Sequence, residues 1–296
     1  MKENDDVWSL WLKQRRFTSN RESQKRALEQ YKFLASKIIN KAQIFESAIV
    51  LDIGAGDGIV GFAALEHLGP NGKLIFSDIS ESALSIPKEV LGQMKEPDSR
   101  IEFLVAGIEN LHELKQNSID RIVFRAVLLY VKNNTRAFNE IFRVLKKGGI
   151  AVILEPINQR HIEFRKQLFR GYRLDRKPLL SVYPLLKKVM EETNNQVIKF
   201  QNTIIGYDEH SLAHIAIETG FQEVRMEYDL NHSSGRFASW DFFFNTAPNS
   251  LAKTLNEIMK SVLTPNEFEK VVKALKKSFE GPTIRTICEA LFILKK

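Results

Sequence analysis

The chain has 296 residues and one cysteine, Cys288. A lone cysteine closes no internal disulfide, so a reducing compartment suits it. Cys288 lies in an apolar stretch, 286–294, and reads as an inert core thiol rather than a nucleophile. The first six residues are polar and no apolar run follows them, so no signal peptide is visible. No apolar stretch approaches the ~20 residues that a membrane span needs. A cytoplasmic protein without a membrane partner is expected. There is no internal repeat and no low-complexity tract. The histidines also lack metal-ligand spacing: His210 and His214 form an i, i+4 pair with no third ligand, and His161 and His232 stand apart. No metal is expected.

What is present is ordinary globular material, 44% hydrophobic and 27% charged. A chain of this length and composition buries a real core. The net charge of +7 would suit an acidic partner such as nucleic acid. However, the Lys and Arg residues are spread out, densest at 165–177 and 270–277, and the second run reads as the solvent face of an amphipathic helix. An acidic cofactor or a solvated surface explains the charge equally well, so nucleic acid is not an expected partner.

Periodicity divides the chain. Residues 5–45 read as helical, with Trp8, Trp11 and Leu12 on one face, and Leu28, Tyr31, Leu34, Ala35 and Ile38 on another. This predicts an N-terminal arm or lid over 1–45. Short apolar runs at 48–53, 73–78, 100–106, 119–124 and 150–154 then predict buried parallel strands. Helices are predicted between them at 60–68, at 81–94 with a kink near Pro87, and at 135–145. Lys146-Lys147-Gly148-Gly149 reads as the cationic end and glycine stop of the last of these. Strand and helix alternating in this way specify a doubly wound, mostly parallel α/β sheet. The rhythm breaks at 157–203 and 231–282, which read as helical cap insertions within a domain spanning 46–296. Between them a helix (207–220) and a strand (221–230) are predicted, and a final strand is predicted at 283–294.

The segment Leu51 to Gly58 follows the first strand and holds Gly54, Gly56 and Gly58. Such glycines let a ligand approach the backbone, and the helix beyond presents free N–H groups. A dinucleotide or an adenosyl amino acid would fit. Read from Gly54 and Gly56, the dinucleotide fingerprint needs glycine at 59, where Ile59 stands. Asp52 before the glycines suits an ammonium group better than a pyrophosphate. Asp78, at the end of the second strand, can accept two ribose hydroxyls, or alternatively serve as a cap beside Ser80.

These residues resemble the class I S-adenosylmethionine-dependent methyltransferases. The matching runs are Leu51 to Gly58, Phe76 to Ser80, Ser118 to Val123, and Arg143 to Gly149, where Lys147 replaces the family's usual proline. The likeness covers about 45–156 and leans toward the bacterial small-molecule branch, given Glu155-Pro156-Ile157-Asn158 after the fifth strand. It implies a Rossmann-like fold with S-adenosylmethionine as cofactor. It also implies that Gly54, Ala55 and Gly56 pass under the methionyl part, Asp52 stands near its amino group, Asp78 holds the ribose and Ile79 packs on the adenine. Gly107 stands where the family often has an acid for the adenine amine, so the backbone of Gly107 or Ile108, with packing by Ile108, substitutes. Arg125 and Ala126, after the fourth strand, fall near the methionyl group.

Methyl transfer asks the protein mainly for alignment and electrostatics. Glu155 could orient or deprotonate an acceptor, or form an ion pair with Arg125. Arg125 could bind the cofactor carboxylate. Tyr130 could face the acceptor or simply pack. Arg15 and Arg16 end the first apolar helix and could close on cofactor or substrate, with Arg16 the cofactor candidate. Trp8 and Trp11 read as lid packing, and Trp240 to Phe244 as buried core. The function expected is methylation of N or O on a small molecule or short peptide. RNA or protein methylation, and cofactor binding without catalysis, are the alternatives. The sequence leaves the oligomeric state open.

Overall fold

The computed structural model describes residues 6–16, 21–93, 99–160, 176–199, 203–235, 239–247, 249–278 and 283–296. Seven strands form one sheet: β1 Ile49–Ile53, β2 Lys73–Asp78, β3 Ile101–Val105, β4 Ile119–Arg125, β5 Leu145–Pro156, β6 Glu223–Gly235 and β7 Thr283–Lys295. Their order is β3-β2-β1-β4-β5-β7-β6. The first five pair in parallel, and β7 runs antiparallel to both of its neighbours. The order reverses between β1 and β4, which opens a crevice at their C-terminal ends.

The helices, in chain order, are α1 Val7–Leu10 running into a π-helical turn Trp11–Arg15, α2 Arg21–Ala42, α3 Ile59–Leu65, α4 Glu81–Gly92, α5 Asn134–Val144, α6 Arg176–Leu180, α7 Tyr183–Lys199, α8 Glu209–Thr219, α9 Trp240–Asn245, α10 Leu255–Val262 and α11 Pro265–Ser278. The central strands are apolar on both faces because both faces are covered. Leu51, Ile122 and Phe124 pack with α5 and α8, whereas Val50, Phe76 and Val123 pack with α2 and α3. Alternation along each strand sends successive side chains to opposite layers. Pro87 lies within α4, which continues through it.

One predicted boundary is corrected. α5 does not run to the glycines. It stops at Val144, and Leu145 is already extended, at φ −62° and ψ 137°. Leu145 pairs with Ile119, Lys146 reaches Asp120 at 2.8 Å, and the Gly148 N–H donates to the Lys296 carbonyl at 2.8 Å. Strand pairing claims this segment, and Arg143 is left as the cation of the last helical turn.

The chain segments read as two insertions share one core. Leu186 and Val189 of α7 meet Phe244 of α9, Met259 of α10, and Val271 and Leu275 of α11. The result is a helical lobe beside the sheet. Phe244 is buried there, with Trp240 stacked on it at 4.9 Å. Residues 165–175 of the basic run, the side chains of Arg176 and Lys177, His161 and the His232 side chain lie outside what the structure describes. Among the described residues, no helix is long and apolar enough to cross a membrane.

Candidate cofactor and acceptor site

β1 ends in the glycine loop, whose backbone requires glycine. Gly54 has φ +60°, and a Cβ there would lie 2.6 Å from Val127 Cγ2. Gly56 has φ +55°, and Ala55 donates its N–H to the Ser77 carbonyl at 2.9 Å. Asp78 ties this loop to the next one. Its Oδ2 accepts from Gly56 N–H at 3.0 Å and its Oδ1 from Ser80 N–H at 2.9 Å. Ser80 itself caps α4 through Ala83 N–H. Asp78 is 8% exposed, and burial raises its pKa against the pull of those backbone donors. A carboxylate bound on one side by two N–H groups retains lone pairs for ribose hydroxyls.

Asp52 faces the other way. It is 2% exposed, and its Oδ2 accepts from Gly61 N–H at 2.8 Å in the first turn of α3. Burial pushes its pKa well up, opposed by that bond. The bond it makes is therefore to the helix that follows the loop. The test at position 59 also missed a second frame. Gly56, Gly58 and Gly61 satisfy the G-x-G-x-x-G spacing two residues later. Gly61 is needed for close packing, because a Cβ would sit 2.2 Å from Phe76 Cε1 and 2.8 Å from Asp52 Oδ2. The glycine spacing alone therefore does not separate the two ligand classes.

Two arginines meet beside the loop. Arg16, 6% exposed, pairs with Asp57 at 2.6 Å, and its guanidinium lies over the Tyr31 ring at 3.9 Å. Burial works against its charge, but Asp57 and Tyr31 more than offset this and raise its pKa. Arg125 lies over the same Tyr31 ring at 4.8 Å. Burial and Arg16 lower its pKa, against Tyr31, Asp57 and Glu289. No described residue hydrogen-bonds or ion-pairs with Arg125. The expected Glu155–Arg125 pair does not form.

Glu155 is instead fully buried, at 0% exposure. Its Oε1 accepts from Val127 N–H at 2.7 Å and Leu128 N–H at 2.9 Å, and Tyr207 donates its hydroxyl to Oε2 at 2.9 Å. Burial raises the carboxyl to about 7, against those donors. This corrects the sequence reading: Glu155 fixes the loop after β4 and presents no oxygen to an acceptor. Tyr207, which sequence reasoning passed over, is its partner from 52 residues away, and burial raises its pKa well above a free phenol's. Tyr130 packs edge-on against Trp8, with centroids 4.6 Å apart, and stands beside Ser250. Burial raises its phenol as well.

Beyond Asp78, Ile79 is 67% exposed and lies next to Gly107, with Cδ1 3.6 Å from where a Cβ would be. An exposed isoleucine over a glycine makes a flat apolar platform. Ile108 is corrected: its side chain is 4% exposed and belongs to the sheet core, so only its backbone is available. Ala126 has φ +57° and donates its N–H to the Leu154 carbonyl at 3.0 Å. Left-handed alanine is strained, and such strain concentrates at functional sites. Nothing in the sequence marked it.

The arm lies across this crevice. Leu12 packs on Gly56, with Cδ1 3.6 Å from the Cβ position. Trp11 Nε1 donates to the Ala247 carbonyl at 3.0 Å, and Arg15 pairs with Glu257 at 2.6 Å, both in the segment leading into and starting the lobe's α10. Arg15 and Arg16 thus part company: one binds the lobe and the other the glycine loop.

The glycine loop, Asp78 at the β2 end and the 3-2-1-4-5-7-6 sheet define a doubly wound α/β fold with a crevice suited to a nucleotide-bearing cofactor. A family model described as "Methyltransferase domain" matches residues 44–215. The chain belongs to that family, the class I S-adenosylmethionine-dependent methyltransferases. A ubiquinone/menaquinone biosynthesis C-methyltransferase (UbiE) from Francisella tularensis is 30% identical over 178 residues, covering 60% of this chain. The match spans 62% of that relative's length. A demethylmenaquinone methyltransferase from Lactococcus lactis is 28% identical over 72% of this chain and 80% of its own. Among solved structures, the YcgJ protein of Bacillus subtilis superposes with TM-score 0.53 at 12% identity, over 90% of this chain and 98% of that one. A Haemonchus contortus N-methyltransferase, solved with phosphomonomethylethanolamine and S-adenosylhomocysteine, gives 0.51 at 15% identity, over 93% and 58%. These structural likenesses show the fold.

Proposed function

We propose that this chain moves a methyl group from S-adenosylmethionine to a small-molecule acceptor held between the strand ends and the helical lobe. The carrying observation is the convergence at one crevice of Gly54, Gly56, Asp78 and the buried Arg125, whose guanidinium lies over Tyr31. In this reading Asp78 takes the ribose hydroxyls, Ile79 and Gly107 flank the adenine, and Arg125 faces the methionyl carboxylate. Gly54, Ala55, Gly56 and Ala126 let the backbone lie close. Asp52 acts on the amino group only at a distance, through the loop it braces. Bound there, the cofactor supplies an electrophilic methyl on sulfonium, and the chain supplies alignment.

The three strand-end carboxylates Asp52, Asp78 and Glu155 are all committed to backbone N–H groups. None is poised as a strong base toward an acceptor. That suits an amine or hydroxyl acceptor, which needs only to lose one proton to water, while Tyr130, held protonated by burial, can at most donate a hydrogen bond to the acceptor. A ring carbon of a quinol-like acceptor is the second reading, favoured by the named activities of the two relatives above. We place the enzyme in the cytoplasm, where a chain with a single cysteine and therefore no internal disulfide is at home. The test is transfer of labelled methyl from S-adenosylmethionine to a metabolite extract, a demethylated quinol and bulk RNA, run in parallel. Label in amines or hydroxyl compounds supports the first reading, and label in the quinol the second. Label confined to RNA overturns both.

A further inference from the structure

A single helical turn of the arm has two sets of partners. Residues four apart share a helix face, so Leu12 and Arg16 form one face, and Trp11 and Arg15 form another. The first face reaches the glycine loop, through Gly56 and Asp57, and Arg16 also lies over the Tyr31 ring of α2. The second reaches residues 247–257. Trp11 donates to the Ala247 carbonyl, the Ala247 N–H donates to the Arg15 carbonyl at 3.0 Å, and Arg15 donates to the Ala252 carbonyl at 3.1 Å while pairing with Glu257. The turn is π-helical, closed by Arg16 N–H onto the Trp11 carbonyl at 2.9 Å. Such turns are rare and gather at functional sites. Arg16 also lies over the Trp11 ring at 5.4 Å, which joins the two faces.

We propose that Trp11 and Arg15 are positioning residues that carry cofactor occupancy from the glycine loop to the helical lobe, so that the acceptor is enclosed only once the cofactor is held. The proposal rests on the reading above that the cofactor lies over Gly54 and Gly56. A ligand there has Leu12 as its opposite wall, so the arm contacts it in one state and not in the other. Only a differential contact of this kind can shift an equilibrium. The half-exposed Arg15–Glu257 pair contributes little by itself. Together with three hydrogen bonds to backbone carbonyls it fixes the register between arm and lobe. Coupling of this kind is reciprocal, so closure of the lobe also tightens the cofactor.

Hydrogen exchange on the full chain, with and without S-adenosylhomocysteine, tests it, with binding checked by calorimetry. In the wild type, the ligand slows exchange about tenfold both at residues 7–16 and at residues 240–262. In Trp11→Phe/Arg15→Ala, slowing at 7–16 persists, slowing at 240–262 falls to less than about twofold, and affinity drops by roughly the same lost factor. Arg15→Lys restores part of the lobe protection. If the double variant does not fold, Trp11→Phe alone is judged by the same ratio. If the ligand binds and protects 7–16 but leaves 240–262 of the wild type unchanged, the coupling is wrong while the site stands. Full lobe protection in the variant overturns the role of these two residues. No binding at all removes the site reading and the coupling with it.

Discussion

The strand ends and the helical lobe hold themselves together by opposite means. At the strand ends, Asp52, Asp78 and Glu155 are each buried and each grip the N–H groups of a neighbouring loop or helix start. In the lobe, Phe244, Met259, Val271 and Leu275 pack on one another, and the polar work is local capping, as where Thr254 and Glu257 close a box at α10. A buried carboxylate cannot be truncated without orphaning its donors. An apolar cluster tolerates swaps that keep its volume. The first arrangement ties backbone atoms to fixed partners, whereas the second leaves a core that can vary in sequence.

The largest effect that tests this contrast is at Gly61. Gly61→Ala should destabilise the fold by about 3 kcal/mol or more, because neither Phe76 nor the Asp52 carboxylate can give way. Urea denaturation measures it, and a change below about 0.5 kcal/mol would mean that the α3–β2 contact is slack. Next is the pH response of Glu155. Its folded pKa, about 7, lies above the free value of 4.5. The stability it contributes is thus present below about 4.5 and lost as pH rises through about 7. The ceiling on that loss is about 3 kcal/mol. Glu155→Gln retains the acceptor for Val127 and Leu128, so denaturation at pH 5 and pH 8 should show a flatter profile than wild type. Equal slopes would show that Glu155 ionises normally.

Asp78→Asn should weaken S-adenosylhomocysteine by roughly 10- to 100-fold and also lower the melting temperature, because the amide oxygen can serve only one of the two N–H groups. Because burial raises Asp78, wild-type affinity should also fall on acidification before an ordinary carboxylate would protonate. Unchanged affinity in the variant would move the ribose elsewhere. The smallest effect belongs to the lobe. Met259→Leu should cost under about 1.5 kcal/mol and leave cofactor affinity unaltered.

The strand ends were also the more legible region. Glycine and aspartate at the ends of apolar runs carry their meaning locally, so Gly54, Gly56 and Asp78 could be placed from their neighbours in the chain. Where the partner comes from far along the chain, the reading failed. Glu155 was matched to Arg125 across adjacent strands, but Val127, Leu128 and Tyr207 satisfy it instead. Ile108 looked available because a loop position does not reveal which way its side chain points. The Gly61 frame was there to be read and was passed over. The lobe read as two cap insertions with no contact assigned between them, since apolar helices state that they must pack but not against what. Arg15 and Arg16 are adjacent in sequence, and only a folded turn shows them facing different parts of the molecule.

Calorimetry of the full chain with S-adenosylmethionine and with NAD addresses the central claim most directly. The account predicts saturable one-to-one binding of the first, weakened in Asp78→Asn, and none of the second. Tight binding of NAD, or no heat with S-adenosylmethionine, would contradict it.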